Sequence, residues 1–220
     1  MKLLTIDIET RPIVAYAWGL RDQNIGISQI VEPGGILSFA AKFHGKREIH
    51  FHSTWEGTEL QMLKAAHKLL DEADAVMGWN SDRFDVRWLY GQFVKHGMSR
   101  PSPFVKVDLM KSARHYLYLP SYKLDFVAQF LGVGKKVTTG GFELWTDVMA
   151  GCPKAQALMK RYNIADTKLT EAVFDTLSAK GWIKGLPNYA IDGGHACPHC
   201  GSEKLQARGY SHSKTRRYKR

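Results

Sequence analysis

The segment at residues 2–10, KLLTIDIET, limits the possible folds of this chain more than any other stretch. If it is a β-strand, alternate side chains lie on opposite faces. Leu4, Ile6 and Ile8 then share one face, and Asp7 and Glu9 share the other. Two carboxylates one strand repeat apart repel each other, so they require a cation, a proton or open water. The segment predicts either the polar edge of a half-buried strand or one part of a metal site.

Hydrophobic periodicity along the chain predicts an α/β domain with a mixed β-sheet flanked by helices. Short apolar and alternating runs predict strands at residues 2–10, 36–43, 47–52 and 73–79, the second and third joined in a hairpin. Apolar residues at spacings of three and four predict helices at residues 58–71, 83–96, 108–117, 122–131 and 154–179. Residues 99–107 are predicted as a connector. A hairpin followed by alternating strands and helices is typical of this fold class.

Three further acids lie at the predicted helices. Asp82 precedes the second helix, where an aspartate can cap the first-turn amides, so we expect it to be the N-cap. Asp85 lies in the first turn and can face the end of the sheet, which makes it the better metal candidate. Asp166 lies on the apolar stripe of the last helix, one turn after Tyr162. A buried carboxylate is costly unless something compensates it. The stripe consists of Leu158, Tyr162, Ala165, Leu169, Val173 and Leu177.

The formal net charge of +10 is concentrated near the C-terminus. Residues 195–220 contain seven Lys and Arg against one Glu, which gives +6, whereas residues 1–194 contain 24 basic and 20 acidic residues, which gives +4. A cationic segment favours a polyanionic partner, nucleic acid before anionic lipid. The sequence lacks the run of about 20 apolar residues that a membrane span requires. Three cysteines and an early Asp7 favour a cytoplasmic protein over a secreted one.

A possible zinc site lies in this basic segment. After a linker at residues 181–194, which is interrupted repeatedly by Gly and Pro, Cys197 and Cys200 have the Cys-x-x-Cys spacing of a zinc ribbon. Tetrahedral zinc requires four ligands, so this pair is half a site. A second cysteine pair beyond Arg220 could complete it, or one of the histidines His195, His199 and His212. We therefore expect residues 195–220 to form an incomplete zinc-ribbon-like tail with a possible structural Zn²⁺.

Residues 11–35 are predicted as a long connection with several Gly and Pro residues. Tyr16 and Trp18 lie close to Arg21 in this stretch. Exposed aromatic side chains beside basic groups can stack on unpaired bases. The alternative is that these rings pack back against the core.

Three short motifs resemble those of one enzyme family. The sequence Asp7-Ile8-Glu9 resembles the first motif of the DEDD superfamily of ribonuclease H-like 3′→5′ exonucleases. Residues 80–85, in the form Asn-x-x-x-Phe-Asp, resemble the second motif. Tyr162-x-x-x-Asp166 resembles the third motif in its tyrosine version. Residues 108–110, 121–124 and 130–132 are also similar to the proofreading domain of family B DNA polymerases.

The resemblance covers about residues 1–180, which we expect to form the exonuclease domain. It leaves no room for a polymerase domain, so we expect a stand-alone exonuclease of the kind that phages carry. It implies that Asp7, Glu9 and Asp166 hold one Mg²⁺ or Mn²⁺. Asp7 would also bind a second ion, with Asp85 acting through water, and Tyr162 would orient the attacking water. We expect substrate contacts from Thr10, Trp18, Asn80 and Phe84.

The expected function is metal-dependent 3′→5′ hydrolysis of phosphodiester bonds at the ends of single-stranded DNA. Hard divalent ions prefer carboxylate oxygens, and two of them supply both an activated water and a stabilised leaving oxygen. One alternative is a 3′→5′ exoribonuclease. Another is a catalytically inert protein that binds nucleic acid through its basic tail. The sequence does not identify a protein partner.

Overall fold

The acidic strand at the N-terminus lies at the centre of a five-stranded sheet. The computed structural model describes residues 1–186, 204, 210–212 and 217–219. Strand β1 (Leu3–Arg11) pairs antiparallel with one neighbour and parallel with the other. Leu4, Ile6 and Ile8 are buried on one face of β1, as the alternation predicts. The mixed sheet flanked by helices confirms the predicted fold class.

The remaining strands of this sheet are β4 (Gly35–Phe43), β5 (His50–Ser53), β6 (Ala75–Gly78) and β7 (Val105–Asp108). The five strands follow the order β5-β4-β1-β6-β7. β4 and β5 form the antiparallel half, and β6 and β7 run parallel to β1. Strand β5 begins three residues later than predicted. The prediction of a connector at residues 99–107 was wrong for β7, which is too short to show periodicity and depends on pairing with β6.

Six helices cover the two faces of the sheet in the described part of the chain. They are α1 (Glu59–Glu72), α2 (Asp85–Lys95), α3 (Leu109–Tyr116), α4 (Leu124–Phe130), α5 (Glu143–Met149) and α6 (Pro153–Ser178). All except α5 lie where the periodicity predicts them, within a few residues. Thr58 caps α1, because its hydroxyl accepts from the Gln61 amide at 3.2 Å while the Gln61 side chain accepts from the Thr58 amide.

The two faces of β1 have different roles. Helices α1 and α2 cover the apolar face, where Leu63, Leu89 and Phe93 pack in one cluster with Leu4 and Ile6. Helix α6 crosses the opposite face, which carries the acids, and contacts β1 and β4. The sheet is therefore the middle of three layers, and α6 is the element that covers Asp7 and Glu9.

The connection at residues 11–35 contains a small antiparallel pair, β2 (Val14–Ala15) and β3 (Ile30–Glu32), and a 3₁₀ turn (Ile27–Gln29). Tyr16 is 76% exposed and Trp18 is 95% exposed. The alternative in which these rings pack against the core is therefore wrong.

The chain divides into two compact units, Met1–Gly185 and Leu186–Arg220. In the second unit, β8 (Tyr210–His212) pairs antiparallel with β9 (Arg217–Lys219). The possible zinc ligands Cys197, Cys200, His195 and His199 lie outside the described residues. Among the described residues, no helix combines the length and the apolar character needed to cross a bilayer.

Gly78, at the end of β6, allows the following loop to approach β1 closely. A Cβ atom at this position would lie 2.6 Å from Ser81 Cβ and 3.1 Å from the carbonyl oxygen of Ile6. Both neighbours are buried, and one of them is backbone, so neither can move away easily. The absence of a side chain at residue 78 therefore sets the path of the loop that leads to α2.

We expect Gly78→Ala to lower the free energy of unfolding by about 2 kcal/mol, because the new methyl group overpacks a closed site. Gly91→Ala is the matched control. Gly91 lies inside α2 with nothing within 4 Å of its Cβ position, so alanine there should raise the free energy of unfolding by about 0.5–1 kcal/mol. Urea unfolding measures both, and a neutral Gly78→Ala would contradict this account of the loop.

Candidate active site

Three carboxylates meet where α6 crosses β1. One oxygen from each of Asp7, Glu9 and Asp166 lies within 4.8 Å of the others. Asp7 and Glu9 share a face because they are two residues apart on a strand, and α6 brings Asp166 onto that face. Asp166 is 1% exposed and Glu9 is 9% exposed. The arrangement forces like charges together in a site shielded from water.

Asp85 reaches the same strand from α2, the helix that packs on the other face of the sheet. Its Oδ1 accepts a hydrogen bond of 3.0 Å from the amide of Ile8, the residue between Asp7 and Glu9. The pairing of β1 with β6 ends at Thr5, so the Ile8 amide is satisfied by a side chain instead of by a strand. Asp85 is the first residue of α2, as expected of an acid in the first turn.

The prediction that Asp82 caps α2 was wrong. The helix begins at Asp85, with Phe84 at the cap position, and Asp82 forms an ion pair with Lys111 of α3. The reason is a tight turn at the start of this loop. Asn80 has a positive φ of 63°, and its carbonyl oxygen accepts from the amides of both Arg83 and Phe84. This turn delays the helix and carries Asp82 towards α3.

Asn163 fixes the relative position of α6 and the sheet, and the sequence did not single it out. Its Nδ2 donates to Asp7 Oδ2 at 2.6 Å and to the Asp7 carbonyl oxygen at 3.0 Å. Its Oδ1 accepts from Ser38 Oγ of β4 at 3.1 Å. Asn163 and Ser38 are fully buried. A polar residue three positions before Asp166 on the same helix is the sequence signal that could have identified it.

Lys136 is the second site residue that sequence reasoning missed. Its Nζ donates to Asp166 Oδ2 at 2.5 Å and to the Tyr162 hydroxyl oxygen at 3.0 Å. Its backbone amide donates to Asp125 Oδ1 at 2.7 Å, which holds the segment against α4. Lys136 lies in an irregular stretch between Gly134 and Gly140, where periodicity gives no signal.

The carboxyl groups at this site are buried, and burial raises the pKa of each of them. Desolvation and the neighbouring acids raise the pKa of Glu9 to about 8, and burial raises the pKa of Asp85 to about 7. Burial also raises the pKa of Asp7, and the charges of Asp85, Glu9 and Asp166 raise it further. For Asp166, burial raises the pKa although the Lys136 ammonium opposes the shift. Each carboxylate would therefore gain from a nearby positive charge.

The donor set fits a hard divalent cation such as Mg²⁺ or Mn²⁺. All ligand atoms in the group are carboxylate oxygens, which these ions prefer to imidazole or thiolate. Asp166 Oδ1 is buried and has no hydrogen-bond partner among the described residues. An ion would supply this oxygen with a partner and offset the repulsion between the acids.

Tyr162 lies beside Asp166 with its ring edge-on to Trp145, at a centroid separation of 6.2 Å. Burial and the charge of Asp166 raise the pKa of Tyr162 to about 12. The phenol therefore stays protonated at neutral pH. Its oxygen accepts from Lys136, and its hydroxyl donates towards Asp166, which lowers the pKa of that carboxyl.

The four residues expected to contact substrate lie on β1, in the loop before α2 and in the connection between β2 and β3. Thr10 follows Glu9 at a register shift between β1 and β4, and it is partly buried. Asn80 begins the loop that leads to Asp85. Phe84 is 40% exposed and meets Trp88 edge-on, and Trp18 lies in the exposed connection between β2 and β3. Phe84 and Trp18 lie outside the group of three carboxylates, and the substrate roles of all four remain predictions.

The comparisons with known proteins agree with this architecture. A family model described as the RNase H superfamily matches residues 35–178. This match begins after β1, so it includes Asp85, Tyr162 and Asp166 but not Asp7 and Glu9. No curated protein sequence is significantly similar to the chain.

Among solved structures, the chain is similar to the family B DNA polymerase of the hyperthermophilic archaeon Pyrobaculum calidifontis. The TM-score is 0.60 at 18% sequence identity, over 80% of this chain. The chain spans 24% of the polymerase, so the similarity concerns the fold of one part of that enzyme. The family match extends over more than half of the 220 residues, and the sheet and helices agree with it. The chain belongs to the ribonuclease H superfamily.

Proposed function

We propose that this protein is a metal-dependent 3′→5′ exonuclease that acts on single-stranded DNA. The observation that carries the proposal is the meeting of Asp7, Glu9 and Asp166 within 4.8 Å, with Asp85 bonded to the amide between the first two. Ribonuclease H-like proteins that act on nucleic acid use such acidic groups, and the motif order resembles that of the DEDD exonucleases. The similarity to a DNA polymerase favours DNA as the substrate.

The four acids have separate parts in this proposal. Asp7, Glu9 and Asp166 would hold one divalent ion, and Asp7 would hold a second with the help of Asp85 through water. Bound ions of this kind activate a water and stabilise the leaving oxygen of a phosphodiester. Asn163 supports Asp7, because its hydrogen bond to Oδ2 orients the carboxylate and its bond to the Asp7 carbonyl oxygen holds the backbone.

Tyr162 and Lys136 act on the water rather than on the ions. With a pKa of about 12, Tyr162 is a hydrogen-bond donor and not a general base at neutral pH. Lys136 holds both the phenol oxygen and Asp166 Oδ2, so it fixes the distance between the two groups. The pair therefore orients the attacking water with respect to the ligand Asp166.

Four further residues contact the substrate in this proposal. Thr10 and Asn80 contact the terminal nucleotide, and the exposed rings of Phe84 and Trp18 stack on bases. We also propose a stand-alone, phage-type enzyme of the tyrosine subtype that works in the cytoplasm. Residues 195–220 add a cationic handle for nucleic acid, in which Cys197 and Cys200 bind structural Zn²⁺.

We expect Asp7→Asn and Asp166→Asn to lower the rate of cleavage by about a thousandfold, because each removes a charge that holds a metal ion. Oligonucleotides labelled at the 5′ or the 3′ end, as DNA and as RNA, measure activity, polarity and sugar preference together. The matched control is Asp147→Asn, which removes one exposed carboxylate on α5. Near-normal turnover in either site variant would exclude the metal assignment, and an inert parent protein with Mg²⁺ and Mn²⁺ would favour the binding-only alternative.

Tyr162→Phe should slow turnover by about tenfold while leaving the helix folded, because the ring is kept and only the hydroxyl is lost. Single-turnover cleavage measures the chemical step, and circular dichroism checks the fold. The loss of the hydrogen bond from Lys136 should cost about 1 kcal/mol of stability. If the variant cleaves at the parental rate, Tyr162 is a packing residue.

With a chelator present, we expect the free energy of unfolding to fall as the pH rises from about 5 to about 8. The native state keeps protons on Glu9 (pKa about 8) and Asp85 (pKa about 7) that the unfolded chain has already released. Glu9→Gln should reduce this decline, and Mg²⁺ should restore stability most at pH 8. Urea midpoints at three pH values measure the effect. Stability that rises with pH across this window would contradict the burial of these acids.

A further inference from the structure

A cleft lined by cations lies beside the acidic site, between the loop that follows β6 and helix α3. Its volume is about 380 Å³, near the lower end of the range of roughly 300–1,000 Å³ for ligand clefts. Arg83 comes from the loop, Lys111 and Arg114 come from α3, and Lys184 comes from the segment after α6. Among the described residues, the lining contains no carboxylate. The cleft is therefore suited to an anion.

Within the described ranges of the chain, two of these four cations have neither a charged partner nor an aromatic ring beneath them. Lys111 forms an ion pair with Asp82, and the Arg114 guanidinium lies over the Tyr122 ring at 5.3 Å. In the part of the chain that the structure describes, Arg83 and Lys184 have no carboxylate within 4.0 Å. The presence of Arg114 is explained by its place in the last turn of α3, where a positive charge interacts favourably with the helix dipole. It does not account for Arg83 or Lys184, which belong to other segments.

The position of Lys184 is built into the fold. Its backbone amide donates to the hydroxyl of Ser112, a fully buried residue of α3, at 3.1 Å. Ile183 packs beside it in the cluster that includes Leu177 of α6. The backbone at residue 184 is thus anchored next to α3, although it is distant from α3 in sequence.

The cleft and the acids lie at the same end of the sheet, where the parallel strands β1, β6 and β7 end. Gly78 of β6 is paired in register with Asp108 of β7, which caps α3. The loop after Gly78 contains both Asn80 and Arg83 of the cleft and then leads to Asp85 of the acidic site. The charge of Asp108 acts on Asp85, which is a further sign that the two sites are neighbours.

We infer that this cleft binds the phosphodiester backbone of a single strand whose 3′ end enters the acidic site, an inference that rests on the proposed function for the nature of the ligand. The electrostatic reason is that the clustered carboxylates repel the phosphates upstream of the cleaved bond. Unpaired cations at a neighbouring position offset that repulsion and keep the strand in place. Arg83 and Lys184 contribute most, because they give up neither an ion pair nor a ring contact when a phosphate binds.

The test uses the full-length double variant Arg83→Gln/Lys184→Gln. Both side chains are exposed, so the fold should be retained. The matched control is Lys64→Gln/Arg100→Gln, which also removes one lysine and one arginine, both exposed and outside the cleft. Binding of a fluorescent single-stranded DNA is measured by anisotropy with a chelator present, over a range of salt concentrations. Hydrolysis is measured on an oligonucleotide and on the p-nitrophenyl ester of thymidine 5′-monophosphate, which has no upstream phosphate.

The cleft variant should bind the oligonucleotide about tenfold more weakly at low salt, and its salt slope should fall by about 1.4, since two phosphate contacts at roughly 0.7 each are lost. Its kcat/KM should fall on the oligonucleotide and stay unchanged on the nitrophenyl ester, whereas the control variant should match the parent in every assay. Equal binding by the cleft and control variants would overturn the inference even if the parent enzyme is an active nuclease. If the parent hydrolyses neither substrate, the proposed nuclease function fails, and the anisotropy measurement still decides whether the cleft binds the strand.

Discussion

The architecture depends on the repulsion between carboxylates that the fold holds together at the centre of its sheet. Asp7 and Glu9 cannot separate, because the alternation of β1 fixes them on one face, and α6 adds Asp166. Local hydrogen bonds offset part of the electrostatic cost. Asn163 binds Asp7, Lys136 binds Asp166, and the amide of Ile8 binds Asp85. The raised pKa values of the acids show that this compensation is incomplete, and the remaining deficit is what a divalent cation would relieve.

Much of the fold was predictable because it rests on local patterns. The alternation in β1 and the helical spacings in α1, α2 and α6 need only the sequence of each segment. Strand β7 was missed because its four residues gain their structure from β6. The cap at Asp82 was wrong because Asn80 forms a turn that competes with the helix. Local sequence cannot show either of these tertiary effects.

The residues of the site also divide into those set by local sequence and those set by tertiary contacts. Acids at strand and helix spacing can be found from the sequence, whereas Lys136 lies in an irregular stretch that only the folded chain brings to Asp166. The predicted stripe of α6 was also displaced near the site. Leu158 and Tyr162 are only partly buried there, whereas Met159 and Asn163 are fully buried. The helix is rotated so that Asn163 can bridge Asp7 and Ser38, and a polar bridge of this kind does not appear in a hydrophobic pattern.

The distances along the chain between the joined groups have a consequence for biosynthesis. Asn163 and Asp7 are separated by 156 positions, and Asp85 and Ile8 are separated by 77. Contacts this far apart in sequence cannot close on the ribosome until the later partner has been synthesised. A nascent chain that still lacks α6 carries Asp7 and Glu9 without their third partner. The carboxylate group that carries the proposed nuclease function is therefore complete only when synthesis of the domain is nearly finished.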